Sequence, residues 1–153
     1  MRQLMAEEPA ETTTANMSLA ESRKQPSIIA LLFCDYAKTS PEGKLNISGI
    51  FDRIFVDPDI KKTPTFYVFL KLQEVFGSAE FHILNPAGKI IGAALYEVKQ
   101  DAAKSDELNF TQASIRFMEL ETEEEGLYWF EIVYKGHSLG GTGLKVEFKK
   151  REN

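Results

Sequence analysis

No stretch between Ser27 and Phe148 sustains the three-to-four-residue spacing of apolar side chains that an amphipathic helix needs. Alternation with a period of two recurs instead, in runs of strand length separated by turn signals. "SIIALLFCDY" is a continuous apolar run, the pattern of a strand covered on both faces. "GKLNISGIFDRIFV" reads as one alternating strand. Leu45, Ile47, Gly49, Phe51, Arg53 and Phe55 fall on one face, and Lys44, Asn46, Ser48, Ile50, Asp52 and Ile54 on the other. "TFYVFLKLQEV" sets Phe66, Val68, Leu70 and Leu72 on one side. "AEFHIL" and "KIIGAALYEVK" flank a turn, and "QDAAKSD" is a polar connection. "ELNFTQASIRFMELE" has two apolar phases, which predicts a bulge near Thr111–Gln112. "LYWFEIVYK" directs Tyr128, Phe130, Ile132 and Tyr134 to one face, and "LKVEFKK" sends Leu144, Val146 and Phe148 inward.

This pattern predicts an all-β domain over residues 27–150, an eight-stranded antiparallel immunoglobulin-like β-sandwich. Residues 1–26, rich in Glu, Ala, Thr and Ser without either periodicity, read as a disordered tail. Met5 and Met17 inside it are alternative starts, which leaves open whether residues 1–16 are present in the native protein. A chain of 153 residues with 43% hydrophobic content suits one domain with its own core.

Two pentapeptides, "SPEGK" ending at Lys44 and "NPAGK" ending at Lys89, pose a choice between a phosphate loop and a hairpin tip. A phosphate loop needs a glycine five positions before Gly-Lys, a hydroxyl residue after the lysine, and a helix next. Lys38 and Ile83 stand at the first position, Leu45 and Ile90 at the second, and strands follow. Ser40 and Asn85 suit the first position of a type I turn, Pro41 and Pro86 the second, and Gly43 and Gly88 the fourth. Both pentapeptides are read as hairpins.

The charge balance, 18 basic against 23 acidic residues and a net of -5, argues against nucleic acid as a partner. The longest apolar run, Ile28–Cys34, is far short of the roughly 20 residues of a membrane span. The N-terminus carries no secretory signal, and Cys34 as the sole cysteine precludes an intrachain disulfide. The expectation is a cytoplasmic protein without membrane contact, and the Asn-x-Ser/Thr triplets at Asn16, Asn46 and Asn109 then carry no meaning.

Individual chemistry signals are sparse. "GHSLGGTG" lacks dinucleotide spacing and reads as a flexible connection between the last two strands, with His137 in its turn. His82 and His137 show no metal-ligand spacing, and Asp57-x-Asp59 lacks the further oxygens and glycine of a calcium loop. Cys34 reads as a buried small hydrophobe. "ELETEEEG" reads as a solvated acidic loop, with a basic partner as the rival reading. Glu124-x-Gly126-x-Tyr128 resembles a tyrosine corner, which makes Tyr128 structural.

"LLFCDYAKTSPEGKLNISGIFDRIF", "TPTFYVFLKL", "FHILNPAGKII" and "EEGLYWFEIVYKGHSLGGTGLKV" together resemble a family of uncharacterised bacterial proteins. Its pattern is a "CD" near the first strand, a "GKxNxxGxFD" segment, a Pro-rich loop and a final "GxYxFxIxxxG" strand. The likeness spans about residues 28–147, with Gly43–Asp52 the most specific part. It implies a β-sandwich of unknown function and supplies no catalytic residues.

The function expected is a non-catalytic binding or protein-interaction module, using loops or a sheet edge, with another protein or a second copy of itself as partner. No catalytic residue, metal or cofactor is expected. Candidate contact residues are Asp57, Asp59, Lys61 and Lys62 on one loop, His137 and Ser138 on another, and Asn46 with Asp52 on one strand face. The alternatives are a structural or assembly component and a carbohydrate-binding module built on exposed Tyr67 and Trp129. An enzyme would need Asp35, Asp52 or His82 to converge with a partner in a pocket.

Overall fold

The structure, a computed structural model, describes residues 24–98 and 108–150. The expected tail over 1–26 lies outside the described residues except for Lys24–Pro26, as does the "QDAAKSD" connection. The described residues form nine strands and no helix. In chain order they are β1 (Ser27–Thr39), β2 (Leu45–Phe51), β3 (Arg53–Val56), β4 (Phe66–Gln73), β5 (Gly77–Leu84), β6 (Ile90–Val98), β7 (Phe110–Phe117), β8 (Gly126–Tyr134) and β9 (His137–Phe148). Two sheets share them, one ordered β2-β1-β4-β7 and the other β3-β9-β8-β5-β6.

The two sheets form a sandwich-like pair around one core. Phe33 of β1 and Phe66, Val68, Leu70 and Leu72 of β4 face Val56, Phe81, Phe130, Ile132, Leu144 and Val146 of the other sheet, all almost fully buried. Phe130 meets Phe33 edge to face at 4.8 Å and Phe117 at 5.8 Å, while Phe66 stacks on Phe117 at 5.2 Å. Each such burial stabilises by about 1.5–3 kcal/mol, and favourable ring geometry adds roughly 0.5–1.5 more per pair.

The strand count and direction differ from expectation for one reason. The segment read as a single strand from Lys44 to Val56 breaks at Asp52 and changes sheets. β2 pairs antiparallel with β1, while β3 pairs parallel with β9, Val56 lying opposite Phe148. The crossing also inverts the side-chain phase. Ile54 and Val56 are buried and Arg53 and Phe55 exposed, the reverse of the continuous alternation. Ile54 therefore does not continue the face of Asn46.

Three other local expectations are corrected. β7 follows β4 without a register shift from Phe110 to Phe117, so no bulge occurs at Thr111–Gln112. The early apolar phase arises because Phe110 faces outward, with Lys71 Nζ 4.9 Å from its ring centre. β1 is covered on one face only, since Ile29 and Tyr36 are exposed, although Cys34 is sealed between Ile50 and Tyr67 of the flanking strands. The glycine-rich stretch is strand, not loop. A side chain at Gly141 would collide with the Trp129 indole, whose Nε1 lies 2.8 Å from where its Cβ would be.

Both pentapeptides are hairpin tips. Ser40 N donates to Lys44 O (2.7 Å) and Gly43 N to Ser40 O (2.9 Å). Asn85 N likewise donates to Lys89 O and Gly88 N to Asn85 O, each at 2.8 Å. Asn85 Oδ1 further accepts from the backbone N–H groups of Ala87 and Lys89.

Candidate functional site

The loop from Asp57 to Thr65 spends its polar groups on itself and on one neighbour. Asp57 Oδ1 accepts from Asp59 N (2.8 Å), and Asp57 O accepts from Lys61 N (2.9 Å). Lys61 O accepts from Thr122 N (2.8 Å), Thr63 N donates to Leu120 O (2.9 Å), and Thr63 Oγ1 accepts from Leu120 N (3.0 Å). Lys62 Nζ stands 3.7 Å from Glu119. The basic loop and the acidic loop thus latch to each other. Their exposed ion pair adds at most about 1 kcal/mol, so the backbone bonds do most of the holding.

His137 and Ser138 lie at the far end of the same sheet. β3 runs parallel to β9, so the Asp57 loop follows the C-terminal end of β9 and His137 begins its N-terminal end. Twelve strand residues separate the two by roughly 35–40 Å, and they cannot share a ligand. Ser138 Oγ accepts from Gly140 N (3.2 Å). Asn46 is exposed on β2 opposite Lys38, and the Asp52 carbonyl accepts from Lys145 N (2.9 Å) at the sheet crossing.

His137 does line a hollow, open to solvent and of about 350 Å³, beside the β8–β9 hairpin, with Phe76, Tyr134 and Leu139 as apolar wall and Lys24 and Lys135 beside it. The hairpin turn is Lys135–Gly136, both left-handed (φ 50° and 79°), the geometry of a two-residue type I′ turn. His137 is thus the first residue of β9 and not a turn residue. The wall is rigid. The Tyr134 hydroxyl donates to Phe76 O and accepts from Phe76 N, each at 3.2 Å. Gln73 Nε2 donates to Gln25 O (3.2 Å), tying the entering chain to β4. Glu74, buried and left-handed (φ 55°), accepts from Asn109 N (2.7 Å) and Asn109 Nδ2 (3.3 Å) and donates its own N–H to Asn109 O (2.8 Å).

Sequence reasoning missed Lys24, Glu74, Asn109, Tyr134 and Lys135 as a group. The Lys-Gly pair between two alternating strands was a legible hairpin signal, but nothing in the sequence marks Glu74.

The other candidates stand apart. His82 Nε2 is 2.8 Å from Glu80 Oε2 on the outer face of the five-stranded sheet. Asp35 lies across from Gly49 in a hollow of about 340 Å³ with Arg53 and Thr65, and Asp52 sits at the β2–β3 crossing. Four glutamates of the acidic loop, Glu119, Glu121, Glu123 and Glu124, line a separate hollow of about 370 Å³. Tyr67 and Trp129 are both solvent-accessible but lie on the opposite outer faces of the two sheets. Cys34 is fully buried, and burial pushes its thiol above the ordinary range, which makes it a poor nucleophile. Among the described residues no helix is long and apolar enough to cross a membrane, and no group of three or more His, Cys, Asp or Glu is placed to hold a metal.

These features define an all-β, two-sheet domain with a small lined cavity at one end. The chain belongs to a family of unknown function, DUF6941, whose sequence profile matches residues 29–147. A search of curated proteins finds no match.

Proposed function

We propose that the chain is a non-catalytic protein-interaction module of immunoglobulin-like topology that takes a partner strand along the free edge of β6. The observation that carries this reading is the character of that edge. β6 has nine residues, runs from Ile90 to Tyr96 without charge or proline, and exposes Ile90 (52%) and Leu95 (63%). Among the described residues no strand pairs with its outer side. Unpaired peptide groups on such a strand are a template for another chain.

The other three edges are blunted. β3 has four residues and an Arg53–Glu147 ion pair at 3.4 Å, β7 points Gln112, Ser114 and Arg116 outward, and β2 carries left-handed Gly49. β6 has its own bulge near Ile91, where its pairing to β5 shifts, so Gly92–Val98 is the stretch available for regular pairing.

The immunoglobulin-like reading draws support from Tyr128. Its hydroxyl, two residues into β8, donates to Glu124 O (2.7 Å), the bond of a tyrosine corner. The crossing from β2 to β3 beside the final strand supports it as well. The non-catalytic reading draws support from the separation of His82 from Asp35 and Asp52. A sole buried cysteine supports a reducing, cytoplasmic setting.

The test is crosslinking with mass spectrometry in lysate, comparing the full chain with its Leu95→Lys variant. Crosslinks from Lys89 to a partner, lost in the variant while its thermal midpoint holds, are the expected result. Partner crosslinks that survive the substitution would refute the edge.

A further inference from the structure

We propose that the cavity under the β8–β9 hairpin binds an organic carboxylate with an apolar body. The inference is independent of the β6 edge. At about 350 Å³ this hollow, open to solvent on one side, has the volume of a small-ligand site. Its wall of Phe76, Tyr134 and Leu139 offers no spare polar group, because the Tyr134 hydroxyl is already committed to both backbone groups of Phe76. The part of a ligand set against this wall is therefore apolar, which disfavours a sugar there.

The rim has the opposite character. In a protein of net charge -5, Lys24, Lys135 and His137 converge on this one opening. The single carboxylate of the lining, Glu74, is directed at the N–H groups of Asn109. Lys135 Nζ is 5.2 Å from the centre of the Tyr134 ring.

The backbone gives a second line of argument. A type I′ turn favours Asn or Asp before Gly, and a lysine there costs about 1–2 kcal/mol. The chain nevertheless has Lys135 at that position, and the cost brings a cation to the cavity mouth. Among the described residues three non-glycine positions have left-handed backbone, and two of them, Glu74 and Lys135, line this cavity. The Lys135 ammonium and the His137 imidazole at the rim suit one carboxylate.

A free acid and a peptide C-terminus share this chemistry, and the experiment separates them. The full chain is titrated by ¹H–¹⁵N NMR with phenylacetate, with phenylacetamide as neutral control, and with the tripeptide Gly-Gly-Phe. Saturable shifts at Phe76, Tyr134, Lys135 and Leu139 are expected for a carboxylate, with the amide at least about tenfold weaker. Tighter binding of phenylacetate assigns a free acid, and tighter binding of the tripeptide assigns a peptide end. Lys135→Asn keeps a favoured turn, so it should fold with an unchanged or higher thermal midpoint and bind about tenfold more weakly. No saturable shift up to about 10 mM for either carboxylate, equal binding of the amide, or full affinity in Lys135→Asn would each overturn the proposal.

Discussion

Gly49 is left-handed (φ 69°) in the middle of β2, opposite Asp35 in the ladder. A Cβ there would collide with the Asp35 carboxylate, whose Cγ would be 2.8 Å away. Gly49→Ala meets both a steric and a backbone penalty, and should lose about 1–3 kcal/mol by urea denaturation. Asp35→Ala in the same chain should restore only the part due to the carboxylate, because its own Cβ still lies 2.9 Å from the new methyl, and should leave the backbone part untouched. At Tyr128 the effect depends on pH. Burial pushes its phenol above the ordinary range, with the carboxylates of Glu124 and Glu123 adding to the rise against the bond to the Glu124 backbone. Burial likewise pushes the Cys34 thiol up. The folded chain thus holds both protons more tightly than the unfolded chain. Stability is full below the ordinary thiol and phenol values and falls as pH climbs through them toward the folded values, from about pH 9 upward. Tyr128→Phe should cost about 1–2 kcal/mol at pH 7 through the lost bond to Glu124, yet flatten the alkaline decline above about pH 10. A denaturation series across that window reads both effects.

At the scale of elements, β3 offers the sharpest test, because structure and sequence pattern disagree there about which side chains face inward. Ile54→Ala should cost about 2–4 kcal/mol and Phe55→Ala under about 1 kcal/mol, measured as shifts in urea midpoint. The opposite ranking would restore one unbroken strand. β4, β8 and the two hairpin tips were legible in the sequence because each is decided by neighbours in the chain: alternation for Phe66–Leu72 and Tyr128–Tyr134, turn chemistry for Ser40–Lys44 and Asn85–Lys89. The crossing at Asp52 was not read, although Leu45, Ile47 and Phe51 followed by Ile54 and Val56 do shift phase. A phase shift does not say whether a strand bulges or changes sheets, and the two apolar phases around Thr111 mark neither, since Phe110 merely faces outward under Lys71. The cavity was legible only through His137. Its other parts come from the entering chain, the β4–β5 bend and the β8–β9 hairpin, which only the tertiary fold brings together.

The whole molecule is held by rings that reach across the gap between sheets. Phe130 touches Phe33 and Phe66 of the facing sheet and Phe81 of its own. Phe130→Ala should cost about 3–5 kcal/mol, a large share of the 5–15 kcal/mol typical of a domain. Phe130→Leu should cost less and still fold, and thermal denaturation of the two gives the order. The connectivity also sets a timetable. β9 carries the last residues of the five-stranded sheet, yet it lies inside it, between β3 and β8. β3 has no strand of its own sheet to join until Phe148 has left the ribosome, since each of its registered partners belongs to β9. A nascent chain that stops before His137 presents β3 and one whole side of β8 unpaired, so the interval before β9 emerges is the one in which the protein most needs a chaperone.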